Sequence, residues 1–185
     1  MNGMRKALYI LGDLSEADIS WLAGAGEAAR LEAGRTLIRI GEAVQGLCII
    51  LEGKLAVLVE DGRQIATLGA GDIVGEMSLI EKRPPEVSIT VVESARILLI
   101  PMSRLREKLE TDVAFAARFY RALAVFLSDR LRETTSRIAG DASLVQKQSW
   151  GAEVDLELDE GILDNLHVAG DRMRRLLALL EHSGR

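Results

Sequence analysis

Short apolar runs separated by glycines fill the middle of the chain and constrain its fold more than any other feature. Between Ala28 and Pro101, runs rich in Val, Ile and Leu such as "GLCIILEG" and "VSITVVES" follow one another at short intervals. Asp61-Gly62, in "VEDGRQ", predicts a hairpin with a type I′ turn. Regular short strands with turn residues between them are typical of an all-β sandwich or barrel. The pattern therefore predicts about seven or eight strands that close into a jelly-roll over residues 28–101.

Helical periodicity replaces the strand pattern on both sides of this region. Before it, Ser15 and Asp18 stand where an N-cap and its reciprocal acid would begin a helix. After it, "MSRLREKLET" predicts a short helix, and apolar residues return every three or four positions over residues 112–138. The predicted fold class is mainly β with flanking helices: a jelly-roll β-barrel followed by long C-terminal helices.

Two parts are predicted along the chain. Residues 1–138 form one domain, made of N-terminal helices, the jelly-roll at 28–101 and the long helix at 112–138. Residues 139–185 contain an acidic linker, with a short strand or tether at "EVDLELDE", and then an amphipathic helix from Glu160 to His182. Three uses of this last helix stay open: it covers the barrel, swaps onto a partner subunit, or docks onto another protein.

Bulk composition indicates the class of protein. A hydrophobic content of 48% with 28% charged residues is typical of a globular chain. The net charge of −5 argues against a nucleic-acid partner, because neutralising phosphates requires a basic surface. No run approaches the roughly 18 apolar residues of a membrane span, and "ALYIL" is too short for a signal peptide. Because the single cysteine, Cys48, excludes an internal disulfide, a cytoplasmic location is expected.

Candidate catalytic groups are sparse. Metal sites on such barrels need histidines that project inward from neighbouring strands, but His167 and His182 both belong to the C-terminal helix. Ser78 has no histidine near it in the sequence to act as its base. The sequence therefore predicts no metal site, no catalytic residues and a non-enzymatic protein.

The segment "LGAGDIVGEMSLIEKRPP", preceded by "GDLSEADISWLA" and "LIRIGEAVQGLCIILEGKLAVL", resembles the cyclic nucleotide-binding domain. That family includes the bacterial catabolite activator protein and the regulatory subunits of cyclic-AMP-dependent kinase. The resemblance covers roughly residues 5–135. It implies that Gly75 begins a phosphate-binding cassette, that Glu76 binds the ribose, and that the amides of Met77 and Ser78 face the phosphate. Amides at a helix start attract an anion, and a carboxylate accepts hydrogen bonds from sugar hydroxyls.

The second half of the cassette departs from the family pattern. Pro85 stands at the position of the phosphate-binding arginine, and Glu86 follows where a small residue would donate its amide; Ser88 is the last polar residue of the predicted ligand set. Proline offers neither a charge nor an N–H, and a carboxylate repels a nearby cyclic phosphate by roughly a kcal/mol. Arg83 is the candidate substitute, although it comes two residues early. Cyclic AMP, cyclic GMP or another small anion is therefore expected to bind weakly, and no cofactor is assigned.

The long helix is predicted to carry a homodimer seam at Ala116, Tyr120, Leu123 and Leu127, because this helix often pairs subunits in the family that the chain resembles. Packing against its own barrel is the alternative. Transcription factors of that family continue with a winged helix-turn-helix, for which too few residues follow Ile138. DNA binding by this chain alone is therefore not expected.

Three functional hypotheses stay open at this point. The first is a stand-alone regulatory module that acts through contacts with an unknown protein partner, with absent, weak or non-standard nucleotide binding. The second is a genuine cyclic-nucleotide sensor that uses Arg83 in place of the missing arginine. The third is a structural scaffold with a vestigial pocket.

Overall fold

The computed structural model describes residues 11–81, 83–141 and 160–183 of the chain. In these ranges the helices are α1 (Glu16–Ala25), α2 (Met77–Ile80), α3 (Met102–Thr111), α4 (Val113–Asp141) and α5 (Glu160–Ser183). The strands are β1 (Glu27–Leu31), β2 (Thr36–Ile38), β3 (Gly46–Leu58), β4 (Gln64–Gly69), β5 (Ile73–Val74) and β6 (Ser88–Pro101). The strand or tether predicted at "EVDLELDE" lies outside the described residues.

A single antiparallel sheet contains all six described strands, in the order β1-β6-β3-β4, with β2 paired to β6 and β5 paired to β3. The two long strands β3 and β6 run alongside each other from the Gly46–Pro101 pair to the Leu58–Ser88 pair. Helices come before and after this sheet in the chain. The predicted class, mainly β with flanking helices, is confirmed.

The prediction of seven or eight strands was wrong, because pairs of apolar runs merge into single long strands. The runs "GLCIILEG" and "KLAVL" are continuous in β3, where Gly53 adopts φ +92° and the register with β6 shifts. A side-chain carbon at Gly53 would lie 2.4 Å from the carbonyl oxygen of Ser94. "VSITVVES" and "ARILLIP" merge in the same way in β6. Gly53 therefore marks a bulge inside a strand, not a turn between two strands.

The hairpin between β3 and β4 forms where it was predicted, but its turn differs. The N–H of Gly62 donates to the carbonyl of Val59 at 2.9 Å, which makes Glu60 and Asp61 the central residues. Gly62 follows them with φ +81°. This is the geometry of a type I turn followed by a glycine bulge, so the predicted type I′ turn at Asp61-Gly62 was wrong.

Alternate residues of β3 face two different hydrophobic cores, because side chains alternate across a strand. Leu47 and Ile49 pack with the helices, while Cys48 and Ile50 point into the barrel. Cys48 is buried as expected, and this burial raises the pKa of its thiol to about 12. The thiolate, which is the reactive form, is therefore scarce at neutral pH.

The helical core is built on the buried face of α4. Phe115, Phe119 and Phe126 are fully buried there, and the rings of Phe115 and Phe119 stack at 5.5 Å. Leu176 and Leu180 of α5 belong to the same core. Helix α5 thus packs within its own chain in this structure, close to the first described residues.

Charged contacts join the N-terminal residues to α4 and α5. Ser15 and Asp18 form the predicted reciprocal cap, with the Asp18 N–H donating to Ser15 Oγ at 3.2 Å and the Ser15 N–H donating to Asp18 Oδ2 at 2.7 Å. Arg118 of α4 donates two hydrogen bonds, of 2.7 and 2.9 Å, to the same Asp18 carboxylate. Arg172 of α5 donates to the carbonyl of Leu11 at 2.9 Å.

Candidate functional site

The site begins at a turn that only glycine accommodates. Strand β5 pairs with β3, and the chain then reverses at Gly75, whose φ is +91°. A side-chain carbon there would lie 2.4 Å from the carbonyl oxygen of Gly46. This close approach presses the turn against β3 and places Glu76 and the start of α2 beside the barrel wall.

A cavity of about 390 Å³ lies between α2, the loop after it and α4. Its volume falls at the small end of the range of about 300–1,000 Å³ for small-molecule sites. Apolar side chains of the barrel form one wall, and charged side chains of the loop and α4 form the other. The lining residues are Ile38, Val44, Val74, Gly75, Glu76, Met77, Ser78, Glu81, Arg83, Pro84, Pro85, Glu86, Val87, Ile89 and Arg130.

Glu76 is a buried carboxylate on the wall of this cavity, with 2% of its surface exposed. Arg130 of α4 donates a hydrogen bond of 2.7 Å to Glu76 Oε1 and forms an ion pair with it. Burial raises the pKa of the Glu76 carboxyl above its ordinary value of 4.5, the Arg130 charge opposes this rise, and Asp72 adds to it. The site therefore stabilises the negative charge of Glu76 only in part, and Arg130 supplies much of that stabilisation.

The cassette helix α2 is also attached to α3. Arg106 donates to the carbonyl oxygen of Ser78 at 3.1 Å. Two successive helices that follow the barrel thus reach α2 through arginine side chains, α3 through Arg106 and α4 through Arg130.

The residues predicted for the ligand site mostly come together. Gly75, Glu76, Met77, Ser78 and Arg83 all line the cavity. Their roles toward a ligand stay predictions.

Ser88 differs from the other predicted ligand residues. It is not among the cavity-lining residues, and its hydroxyl accepts the N–H of Ile40 at 3.2 Å. In the same way, the carbonyl of Pro85 accepts the N–H of Gly41 at 3.0 Å. These two bonds tie the cassette's second half to the turn after β2.

The sequence analysis did not single out Arg130 as a site residue. One signal was available: Arg130 follows Phe126 by four residues, and Phe126 lies on the apolar face that includes Phe115 and Phe119. An arginine at the end of a buried helix face calls for a carboxylate partner, because a buried charge is rarely left unpaired.

The predicted dimer seam requires a correction at one position. Leu123 is 2% exposed and belongs to the core of its own chain, so it is not available to a partner. Ala116 and Leu127 are partly buried against that core, and Tyr120 is exposed. A dimer seam on α4 stays a prediction.

Comparison with known proteins identifies the region that holds this cavity. Residues 28–112 match the family model of the cyclic nucleotide-binding domain. The barrel is similar to a cyclic nucleotide-binding domain. The match includes β1 to β6, the cassette helix α2 and all of α3, and the resemblance noted in the sequence is confirmed.

A curated relative of this region is a regulator by name. The cAMP-activated global transcriptional regulator Vfr of Pseudomonas aeruginosa is 29% identical over 137 residues, which cover 70% of this chain and 62% of the relative. The chain thus spans less than two thirds of the length of that curated relative.

Solved structures confirm the jelly-roll of the cyclic nucleotide-binding type. A cyclic nucleotide-binding domain from Methylobacillus flagellatus superposes with a TM-score of 0.66 at 22% identity, covering 82% of this chain and 86% of that one. The c-di-GMP-responsive global regulator CLP of Xanthomonas campestris superposes with a TM-score of 0.61 at 21% identity, covering 89% and 92%. At these identities the likeness establishes the fold alone.

Two properties of the described residues bear on other functions. None of the described helices is long and apolar enough to cross a membrane. In the described ranges, no group of three or more His, Cys, Asp and Glu side chains is arranged to hold a metal ion.

Proposed function

We propose that this chain is a regulatory module in which the nucleotide pocket controls the long helix α4 through the Glu76–Arg130 ion pair. The observation that carries the proposal is the 2.7 Å hydrogen bond between a cavity carboxylate and the helix that leaves the barrel. A ligand that donates hydrogen bonds to Glu76 competes with Arg130 for the same carboxylate. Ligand binding then shifts the position of α4, because the ligand has different affinities for the paired and unpaired arrangements.

The energetics of Glu76 suit such a switch. Burial raises the pKa of this carboxyl, so its charged form needs a stabilising partner in the cavity. Loss of Arg130 therefore leaves a buried charge that must be stabilised by a ligand or by a proton.

Replacing Arg130 by glutamine tests the coupling without any ligand. We expect backbone amides in the second half of α4 to exchange hydrogen at least ten times faster than in the unmodified protein, which corresponds to about 1.4 kcal/mol. Mass spectrometry of deuterium uptake measures this. Arg121→Gln is the matched control, because Arg121 lies on the same helix and its nearest acidic oxygen, on Asp13, is 3.8 Å away. Equal protection of α4 in Arg130→Gln and the unmodified protein would contradict the coupling.

The output of the module is proposed to pass through α4 into a homodimer. The face of α4 opposite its phenylalanines carries apolar residues at alternating spacings of four and three: Val113, Ala117, Tyr120, Ala124, Leu127 and Leu131. All of them are exposed except Leu127, which is partly buried, and Leu131 is 68% exposed. This is the spacing of a coiled-coil seam, so a second copy of the chain is the proposed partner of this face.

Substitution of two exposed alanines tests the dimer. Ala124→Glu places a carboxylate at the centre of the seam, where two copies would bury it without a partner; we expect dimer affinity to fall at least a hundredfold, or about 2.7 kcal/mol. Ala114→Glu, an identical change at an exposed position about 100° away around the helix, should leave affinity unchanged. Analytical ultracentrifugation measures both. A dimer equally stable in the two variants places the interface elsewhere.

We further propose that this chain is cytoplasmic, that it acts through a partner protein, and that it catalyses no reaction. The names of the relatives, a transcriptional regulator and a global regulator, support a regulatory role. A second candidate is a cyclic-nucleotide sensor that uses Arg83 for the phosphate. The position of Arg83 on the cavity wall favours it, and the binding measurements described next separate the two candidates.

A further inference from the structure

The charges that line the cavity do not favour an anionic ligand. Among the described residues, three carboxylates, Glu76, Glu81 and Glu86, and two guanidinium groups, Arg83 and Arg130, line it, which leaves a net charge of −1 when all are ionised. Arg130 is already within 2.7 Å of the Glu76 carboxylate. The side-chain charges of this cavity therefore offer little attraction to a phosphate.

The loop after α2 offers acceptors where a cyclic phosphate needs donors. Pro84 and Pro85 have no N–H, and Glu86 adds a carboxylate to the cavity wall. Ser88 does not line the cavity, and its hydroxyl accepts the N–H of Ile40. Arg83 is the basic side chain of this loop among its described residues. Arg83 and Glu86 are both exposed, so water and salt screen both charges.

The remainder of the cavity suits an uncharged ring that carries hydroxyl groups. Glu76 is a carboxylate, so it accepts hydrogen bonds from hydroxyls, and two neighbouring hydroxyls can satisfy one carboxylate together. The opposite wall is apolar, formed by the barrel side chains of Ile38, Val44, Val74 and Ile89. A flat ring buries its faces well against such a wall.

We infer that the cavity binds a nucleoside in preference to a cyclic nucleotide. A nucleoside is uncharged and joins a flat ring to a sugar that carries vicinal hydroxyls. This inference rests on the proposed function, because both use Glu76 as the ligand contact. Glu86 then acts as a selectivity residue: it repels the phosphate of a cyclic nucleotide and tolerates the free hydroxyl of a nucleoside.

Calorimetry with small molecules tests the ligand class on the full chain. The panel is adenosine, guanosine, cytidine, uridine, cyclic AMP and cyclic GMP, with the 2′-deoxy form of whichever nucleoside binds. We expect at least one nucleoside to bind ten times more tightly than both cyclic nucleotides, which should bind more weakly than about 100 μM. Removal of the 2′-hydroxyl should weaken binding at least tenfold, because Glu76 loses one of its two hydroxyl donors.

A charge reversal tests the role of Glu86. Glu86→Arg should strengthen cyclic AMP binding at least tenfold relative to nucleoside binding. Glu60→Arg is the matched control, because it makes the same change of net charge in the β3–β4 hairpin, away from the cavity. If both variants gain affinity equally, net charge alone is responsible and the selectivity role of Glu86 is wrong.

The outcomes separate this inference from the proposed function. A cyclic nucleotide that binds more tightly than every nucleoside, or four nucleosides that fail to bind at 1 mM (about −4.1 kcal/mol), overturns the ligand class. Either result leaves the coupling of Glu76 to α4 to be judged by hydrogen exchange in Arg130→Gln, which needs no ligand. Loss of the cyclic-nucleotide signal in Arg83→Gln would identify Arg83 as the phosphate contact and support the second candidate.

Discussion

Replacement of Asp18 by alanine is expected to lower the free energy of unfolding by about 3 kcal/mol. The Asp18 carboxylate is 3% exposed and caps α1 through the N–H of Ser15. It also accepts two hydrogen bonds from Arg118. Its removal therefore breaks the N-terminal cap of α1 and takes the carboxylate partner away from the Arg118 guanidinium. Urea denaturation at pH 7 measures the loss.

A second aspartate provides the control for this prediction. Asp13 also faces an arginine of α4, but its oxygen is 3.8 Å from Arg121, whose side chain is largely exposed. Asp13→Ala should therefore cost about 0.5 kcal/mol or less, as exposed ion pairs do. If both variants lost a similar free energy of unfolding, the close geometry of the Asp18–Arg118 pair would contribute nothing extra to stability.

The contribution of Asp18 should also depend on pH. Burial raises the pKa of this carboxyl, but hydrogen bonds from Arg118 and Ser15 outweigh burial and lower it below its ordinary value of 3.8. A lowered pKa means that the stabilisation is present above pH 3.8 and is lost as the pH falls through the folded-state pKa. The stability difference between the unmodified protein and Asp18→Asn should therefore shrink in strong acid. A difference that stays constant from pH 7 to pH 2 would contradict this.

Gly75→Ala is expected to cost about 3 kcal/mol or more and to abolish ligand binding. Two effects combine at this position: φ is +91°, and the new carbon would lie 2.4 Å from the Gly46 carbonyl oxygen. Relief of that contact requires the turn to move away from β3, and Glu76 moves with it because it is the next residue. Thermal denaturation and the nucleoside titration measure the two consequences.

Gly62→Ala separates the backbone effect from the close contact. Gly62 also has a positive φ, +81°, but no atom lies within 4 Å of where its side-chain carbon would be. Only the cost of a left-handed alanine remains, about 1–2 kcal/mol. If the two glycine variants were equally stable, the contact with Gly46 would be relieved at little cost, and the cassette turn would be more adaptable than its geometry suggests.

The sequence predicted the layers of the fold well because local patterns determine them. Valine- and isoleucine-rich runs located the sheet, and the Ser15–Asp18 cap located the start of α1. The number of strands was overestimated because the amino-acid sequence alone does not distinguish a glycine bulge inside a strand, such as Gly53, from a glycine turn between two strands. They differ only in what the strand pairs with.

The site was predicted in part for a similar reason. Gly75, Glu76, Met77 and Ser78 are contiguous, so a short motif identifies them together. Arg130 lies 54 residues beyond Glu76, and only the packing of α4 brings it to the cavity. Leu123 was wrongly assigned to the predicted dimer seam because α4 is apolar on two faces. Periodicity alone does not say which of these faces packs against the core.

The attachment of α2 to two helices has a mechanical consequence. Arg106 holds the carbonyl of Ser78 from α3, and Arg130 holds the carboxylate of Glu76 from α4. The two contacts differ in their response to a ligand: a ligand that displaces Arg130 from Glu76, as proposed, leaves the Arg106–Ser78 bond in place. We therefore expect such a ligand to release α4 while α3 stays attached to α2.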